Sequence, residues 1–274
     1  MVALGAVLVA GGMTACAGRS VTRSTAPVSA IPRPTVARVT PAIASVRGGT
    51  VVSVVGSGLS RITAVRIGST TVPVSSAAAD RVVFTAPSST DFASGRVEAT
   101  LVADETAAAT APLQYDTVDG VDRQLQYLIT YWKHYNPAYP AIPGDDCVDF
   151  TSQSLLERGW KQQGAWTHAA EVDESGPAWR SSTAFQQFMA AHAELGTPLT
   201  DAERAKVRVG DVVQFDWDRS GDRDHTGVVT RVSSEGGRVK VFFAGHTDDS
   251  DYRDVDVAIT KDHPGGIASY WSLS

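Results

Sequence analysis

The residue pattern changes near position 117, and this change divides the folded part of the chain into two domains. Residues 36–116 are rich in Val, Thr, Ser and Gly and show no helical periodicity. Short apolar runs separated by Gly, Pro and Ser turns predict strands over residues 51–55, 64–67, 81–84 and 97–102. Several short strands in succession are typical of a β-sandwich. Residues 117–274 are long enough to form a second domain with its own core.

The N-terminal segment predicts export and a tether. Residues 1–16 are small and apolar and end in Met13-Thr14-Ala15-Cys16. This segment resembles a bacterial lipoprotein signal, in which Cys16 is lipidated; an ordinary cleaved signal is the alternative. Residues 17–35 are dominated by Ser, Thr, Ala, Pro and Arg and contain no acidic residue, a composition that predicts a disordered tether. We therefore expect an exported protein, either secreted or held at the cell surface, whose only membrane contact is a lipid anchor.

The first domain resembles a known immunoglobulin-like family, the IPT/TIG domain. The matching segments, in order, are Val39-Thr40-Pro41, Gly48-Gly49-Thr50, Val55-Gly56-Ser57-Gly58-Leu59, Ile67-Gly68, Ala86-Pro87 and Leu113-Gln114-Tyr115. The resemblance implies an all-β sandwich over residues 36–116. Because this segment contains neither Cys nor His, we assign it no chemistry. It is either a spacer or a module that contacts carbohydrate or protein.

The second domain contains the candidate nucleophile, Cys147. Asp119 is placed to cap a first helix with a continuous apolar face. A proline-rich stretch then leads to Gly144-Asp145-Asp146, and the pattern from Cys147 to Gly159 predicts a second helix with an aspartate as its N-cap. A cysteine in the first helical turn is a candidate nucleophile, because the free backbone N–H groups favour a thiolate and can hold an oxyanion. A buried structural cysteine is the alternative.

Two of the six histidines lie on predicted neighbouring strands. His225 begins an alternating strand, and His246 ends the next one. Adjacent strands would bring the two imidazoles together as a general base and the group that orients it. The other four histidines lie near helix ends, in a loop or in a turn, and are weaker candidates.

The order of these parts is similar to that of the papain-like NlpC-type cell-wall peptidases and amidases, and most similar to the putative amidase domain family. The resemblance rests on Asp146-Cys147, Gly210-Asp211, Asp224-His225 and His246-Thr247, and it spans about residues 120–274 of the domain predicted over 117–274. It departs at Val148-Asp149, where the family tends to have Thr-Asn, and at Thr151, where it has Val. The resemblance implies an α+β papain-like domain in which a helix carrying Cys147 packs on a small antiparallel sheet that carries both histidines.

The same resemblance implies a cysteine hydrolase. Cys147 would attack an amide carbonyl, His225 would protonate the leaving amine, His246 would orient His225, and water would hydrolyse the thioester. The substrate class it implies is peptidoglycan, either its stem peptides or the amide that joins them to the glycan. The alternative is a non-catalytic, surface-anchored protein that uses the papain-like scaffold to bind the wall or another ligand.

An acidic loop gives a weak calcium-site candidate. Asp216, Asp218, Ser220 and Asp222 have the spacing of a calcium loop, but its twelfth position is Gly227 where a bidentate Glu belongs. We therefore expect no cofactor and no bound metal, with calcium as the alternative. Residues 117–274 carry 15 basic and 24 acidic side chains, which argues against nucleic acid as a partner.

Overall fold

The computed structural model describes residues 1–3, 5, 11, 33–142 and 144–274. Cys16, most of the predicted leader and most of the predicted tether lie outside the described residues. The first strand begins at Thr35, one residue inside the segment predicted to be the tether. Among the described residues, no helix is long and apolar enough to cross a bilayer.

The N-terminal domain consists of strands joined by tight turns, as its composition predicts. Its strands are β1 (Thr35–Thr40), β2 (Ile43–Ser45), β3 (Val51–Ser57), β4 (Ala64–Ile67), β5 (Thr70–Ala77), β6 (Arg81–Thr85), β7 (Gly95–Ala103) and β8 (Thr106–Asp116). The four strands predicted from the sequence correspond to β3, β4, β6 and β7. Single 3-10 turns follow β3 and β6, at Leu59–Arg61 and Thr90–Phe92.

These strands form a sandwich because β5 takes part in both halves. Residues 70–73 of β5 pair with β4, and its residues from Val74 onward pair with β6 after an irregularity between Val74 and Ser76. The strand order is β1-β3-β6-β5-β4-β7-β8-β2. Alternate residues of β3 and β6, such as Val52, Val54 and Phe84, point inward and form the core. The predicted β-sandwich is therefore confirmed.

The C-terminal domain begins with four helices and continues into an antiparallel sheet. Its helices are α1 (Gly120–Tyr131), α2 (Cys147–Arg158), α3 (Pro177–Arg180), α4 (Ser182–Ala191) and α5 (Val255–Val257), which runs into a π-helical turn at Ala258–Asp262; 3-10 turns lie at Val172–Glu174 and Asp201–Lys206. Its strands are β9 (Gly196–Thr200), β10 (Val212–Asp216), β11 (His225–Glu235), β12 (Arg238–Gly245), β13 (Ser250–Asp254) and β14 (Ile267–Leu273). The domain is rich in β-structure, and its papain-like assignment stays a prediction.

The six strands lie in the order β13-β12-β11-β10-β14-β9 and bury a separate apolar cluster on each face. Val212 packs with Cys147 and Leu155 of α2, whereas Val213 and Phe215 pack on the other face of the sheet. Neighbouring residues of β10 contribute to different clusters because successive side chains of a strand point to opposite faces of the sheet. The face that a side chain occupies therefore decides whether it can reach α2.

Helix α1 connects the two domains through shared core and polar contacts. Leu125 and Leu128 belong to the same apolar cluster as the sandwich core. The buried Asp122 accepts a 2.7 Å hydrogen bond from Ser45 Oγ, and Arg47 pairs with Asp119 at 2.7 Å. The sandwich is thus packed directly against the amidase-like domain.

Candidate functional site

Cys147 is the first residue of α2, as the sequence predicts. Asp146 occupies the N-cap position, and Gly159 ends the helix with a φ of 109°, a conformation that favours glycine. The Asp146 side chain has other partners: its Oδ1 accepts a 2.7 Å hydrogen bond from the backbone N–H of Ile142. The Asp146 side chain therefore makes no capping hydrogen bond to α2. The backbone N–H groups in the first turn of α2, next to the thiol of Cys147, are not used by this cap.

The Cys147 thiol is buried, with 2% of the residue exposed. Its Sγ lies 3.5 Å from Ser182 Oγ, and two backbone donors, the N–H groups of Val148 and Thr226, are close enough to influence its pKa. Burial raises the pKa of Cys147, although the hydrogen bonds from Ser182 and the two backbone donors oppose this rise. The N–H group of Val148 at the start of α2 thus favours the thiolate in the expected direction, but desolvation outweighs it and the net shift of the Cys147 pKa is upward.

A buried polar network surrounds Ser182 and connects α4 with the sheet. Ser182 Oγ accepts from Thr226 Oγ1 at 2.9 Å, while Gln214 Nε2 donates to Ser182 O at 2.8 Å and to Thr226 Oγ1 at 3.1 Å. Trp271 Nε1 donates to Gln214 Oε1 at 2.9 Å. The network holds the Ser182 hydroxyl beside Cys147.

His225 begins β11 as predicted, but its ring does not face Cys147. Thr226 directs its hydroxyl toward Ser182 on the α2 side, and successive side chains of a strand point to opposite faces, so His225 points away from α2. Its ring packs among aromatic side chains, with centroids 5.8 Å from Phe215, 5.9 Å from Trp217 and 6.0 Å from Phe243. Burial lowers the pKa of His225 to about 4, so the ring is neutral at pH 7. Among the described residues, its Nε2 has no hydrogen-bond partner.

His246 lies on the α2 side of the sheet, but it does not orient His225. Its ring is stacked between Tyr135 and Phe150, at centroid distances of 3.8 and 3.7 Å. Nδ1 lies 2.5 Å from Asp146 Oδ2, and Nε2 lies 2.9 Å from the carbonyl oxygen of Tyr131. In this conformation His246 does not contact His225, because both of its ring nitrogens face other acceptors.

Asp149 is a buried carboxylate that the sequence argument noted only as a departure from the family pattern. It lies one turn of α2 from its partner Gln153, whose Nε2 donates to Oδ2 at 2.6 Å, and its Oδ1 accepts from Trp179 Nε1. Gln153 in turn accepts from the hydroxyl of Tyr127. Burial, together with the neighbouring Asp146 carboxylate, raises the pKa of Asp149 to about 7.

Three features of this site were not predicted. Ser182 lies 35 positions from Cys147, and no local pattern in the sequence connected the two residues. The pairing of Asp146 with His246 spans 100 positions and left no local signal. Asp149 could have been found, because its spacing to Gln153 places both side chains on one face of α2.

The loop between β10 and β11 brings the predicted calcium-loop carboxylates together. One oxygen from each of Asp216, Asp218, Asp222 and Asp224 lies within 4.8 Å of the others. Asp224 joins the three aspartates expected from the sequence. Gly227, the twelfth position of the calcium-loop spacing, lies in β11, where an added Cβ would be 2.6 Å from Phe243 Cδ2.

Residues 115–267 match the family described as "Putative amidase domain", more than half of the chain, and the chain belongs to this family. Residues 34–116 match the IPT/TIG domain, so both predicted families are found in the predicted order. The match does not extend to the NlpC-type superfamily. No curated protein matches the chain.

Two solved structures resemble the chain at low similarity. The first is SGBP-B of the Bacteroides ovatus mixed-linkage glucan utilization locus in complex with a mixed-linkage heptasaccharide, with 11% identity and a TM-score of 0.23 over 85% of this chain. The second is a polysaccharide lyase, with 12% identity and a TM-score of 0.22 over 57% of this chain. The matches cover 50% and 30% of those two chains. At such scores neither likeness bears on the fold or the function of this protein.

Proposed function

We propose that this protein is an amide hydrolase whose nucleophile is Cys147. The observation that carries the proposal is the position of the thiol at the start of α2 within an amidase-family domain, 3.5 Å from Ser182 Oγ and close to the backbone N–H groups of Val148 and Thr226. These two backbone N–H groups belong to different elements, α2 and β11, and lie near the same sulfur atom. A carbonyl attacked by Sγ would hold its oxygen near that point, where the donors can stabilise a developing oxyanion.

The proposed reaction is acyl transfer through a thioester. The Cys147 sulfur forms a bond to the carbonyl carbon, the C–N bond breaks, and the amine leaves with a proton. Water then attacks the thioester, which releases the acid and regenerates the thiol. We propose His225 as the base for these proton transfers; because its side chain leaves the sheet on the face opposite α2, this role requires a backbone rearrangement at the start of β11.

The proposed role of His246 is positioning rather than direct catalysis. Its contacts to Asp146 and to the Tyr131 carbonyl tie the start of α2 to the end of α1 and to β12. The stacking of its ring on Phe150, one turn after Cys147, supports the same role.

A cysteine at a helix N-terminus, packed on an antiparallel sheet, also supports the papain-like NlpC-type architecture as the finer description of this domain.

The proposed substrates are amide bonds of bacterial cell-wall peptidoglycan. This part of the proposal rests on the sequence resemblance and on the predicted export of the chain. Lipidation at Cys16 would hold the enzyme at the membrane surface, next to the wall. No metal or organic cofactor is required by the thioester route.

A specific observation favours a second candidate, a wall- or ligand-binding protein without turnover. Cys147 is 2% exposed, and its thiol and the His225 imidazole lie on opposite faces of the sheet. A protein that only binds its ligand needs neither an exposed thiol nor an aligned base. The two candidates make different predictions about alkylation of Cys147.

The deciding experiment compares the chain with its Cys147→Ala and Cys16→Ala variants on purified peptidoglycan. These are the only two cysteines, so Cys16→Ala is a matched control that removes a thiol without touching the site. Released peptides and amines are measured by mass spectrometry. We expect release by the chain and by Cys16→Ala, and at least a thousandfold loss, roughly, in Cys147→Ala.

Alkylation with iodoacetamide of the Cys16→Ala variant, whose only thiol is Cys147, provides the second arm. For a hydrolase, modification abolishes release. If no variant releases product and the alkylated protein still sediments with the wall, the hydrolase proposal fails and the binding protein is the correct description. Equal release by Cys147→Ala and the unmodified chain would exclude Cys147 as the nucleophile.

A further inference from the structure

The hairpin loop between β10 and β11 concentrates negative charge at one edge of the C-terminal domain. Its carboxylates are those of Asp216, Asp218, Asp222 and Asp224, and one oxygen of each lies within 4.8 Å of the other three. Two oxygens bound to a single Ca²⁺ at about 2.4 Å are at most about 4.8 Å apart. The spacing of the four oxygens is therefore compatible with one shared calcium ion.

Hydrogen bonds occupy one oxygen of each carboxylate. Asp216 Oδ2 accepts from the backbone N–H of Gly221 at 3.0 Å, and Asp224 Oδ2 accepts from that of Trp217 at 2.6 Å. Asp218 Oδ1 accepts from the backbone N–H of Ser220 at 3.0 Å, while the Ser220 hydroxyl donates to Asp222 Oδ1. These bonds fix the orientation of the carboxylates and leave a second oxygen on each as a potential ligand.

Asp216 gives the independent indication of a ligand. Only 2% of this residue is exposed, and its Oδ1 has no hydrogen-bond partner within the part of the chain that the structure describes. Arg223 Nη1 lies 3.7 Å from Oδ2 of the same carboxylate, but Oδ1 has lost its hydration without gaining a hydrogen bond, which is costly. A cation bound among the four carboxylates would supply the missing partner.

We propose that Asp216, Asp218, Asp222 and Asp224 bind one Ca²⁺ ion in the β10–β11 loop. The four carboxylates are hard oxygen ligands, and the exposed side of the loop leaves room for the waters that complete a coordination number of six to eight. The loop also contains Arg219 and Arg223, which offset half of the carboxylate charge. The charge of one divalent ion balances the remainder.

The site differs from a helix–loop–helix calcium loop. It joins two antiparallel strands, and a glutamate at Gly227 would collide with Phe243. The bidentate ligand of that motif is thus excluded by packing, and Asp224 replaces it from the ninth position of the spacing. Ca²⁺ is favoured over Mg²⁺ because it tolerates an irregular set of oxygens, whereas Mg²⁺ demands near-ideal octahedral geometry.

The ion would stiffen the hairpin next to the candidate active site. The backbone N–H of Arg223 donates to Thr183 Oγ1 at 2.8 Å, and Thr183 follows Ser182 in α4. Asp224 directly precedes His225. The calcium proposal itself does not depend on amidase activity, because its test measures binding.

The full chain is first treated with a chelator to remove bound metal. Calcium binding is then measured by isothermal titration calorimetry, and Tb³⁺ binding is measured by luminescence excited through Trp217. The test variant carries Asp218→Asn and Asp222→Asn, both exposed, so that folding is unaffected. The matched control carries Asp248→Asn and Asp249→Asn, which remove the same charge from another exposed acidic loop.

We expect one Ca²⁺ per chain with a dissociation constant between about 10⁻⁴ and 10⁻³ M, the range of extracellular calcium modules. The Asp218/Asp222 variant should bind at least about tenfold more weakly, since ligand charge sets affinity, and the Asp248/Asp249 control should match the unmodified chain. Absence of saturable binding below about 10 mM, or unchanged affinity in the Asp218/Asp222 variant, overturns the proposal. Equal affinity for Mg²⁺ overturns the assignment of calcium.

Discussion

Replacing Asp149 by asparagine should remove a large part of the pH dependence of folding stability. In the folded protein, burial and the nearby Asp146 carboxylate raise the pKa of Asp149 to about 7, from an ordinary value of 3.8. The folded state therefore holds a proton that the unfolded chain releases near pH 4. The resulting stabilisation is complete below the unfolded pKa and is lost as the pH rises toward and through 7.

The size of the effect follows from the two pKa values. Each pKa unit corresponds to about 1.4 kcal/mol, so the stabilisation from Asp149 falls by about 3 kcal/mol between pH 5 and pH 8. Asparagine has no titration in this range. The side-chain oxygen of the asparagine can still accept the hydrogen bond from Trp179 Nε1. Its Nδ2 faces the amide of Gln153, which must flip to accept a hydrogen bond. This change lowers the free energy of unfolding by about 1 kcal/mol, independently of pH.

The assay is urea unfolding, followed by tryptophan fluorescence, at pH 5, 6, 7 and 8 for the chain and for Asp149→Asn. The free energy of unfolding of Asp149→Asn, relative to the unmodified chain, should rise by about 3 kcal/mol across this range. Asp173→Asn, whose side chain is fully exposed, is the matched control and should show a constant difference. A constant difference for Asp149→Asn would refute the reasoning and would mean that Asp149 is already ionised in the folded protein at pH 5.

Two further substitutions test the packing around the histidines. Gly227→Ala places a Cβ 2.6 Å from Phe243 Cδ2. It should lower the free energy of unfolding, measured by urea titration, by about 1–3 kcal/mol. An unchanged urea midpoint of unfolding would show that the sheet adjusts without strain. His246→Ala leaves the buried Asp146 carboxylate without its partner and should cost about 3–5 kcal/mol at pH 7. A loss below about 1 kcal/mol for His246→Ala would indicate that water replaces the imidazole.

Local signals predicted the elements of the site well. Asp119 caps α1 through a 3.1 Å hydrogen bond from the backbone N–H of Asp122, and α2 runs from Cys147 to the glycine stop at Gly159. His225 begins a strand, and the neighbouring strand ends just before His246. Each of these features depends on residues within a few positions of one another, so the sequence contains the information directly.

The contacts between elements were predicted less well. Neighbouring strands were expected to bring His225 and His246 together, yet the two side chains lie on opposite sides of the sheet. A β-strand turns successive side chains to opposite faces, so a register difference of one residue exchanges the two faces completely. In the ladder between β11 and β12, Val228 pairs with Ala244, so the same register continued toward the strand start places Thr226, and not His225, opposite His246.

The sequence alone therefore defined two domains, their families, a helix that starts at Cys147 and an acidic loop, because composition, periodicity and caps act over short distances. Tertiary packing decided the rest. It buried the thiol against Ser182, tied His246 to Asp146 and gathered a fourth aspartate, Asp224, at the acidic loop. These outcomes depend on strand register and on desolvation, which arise only when distant segments pack against each other.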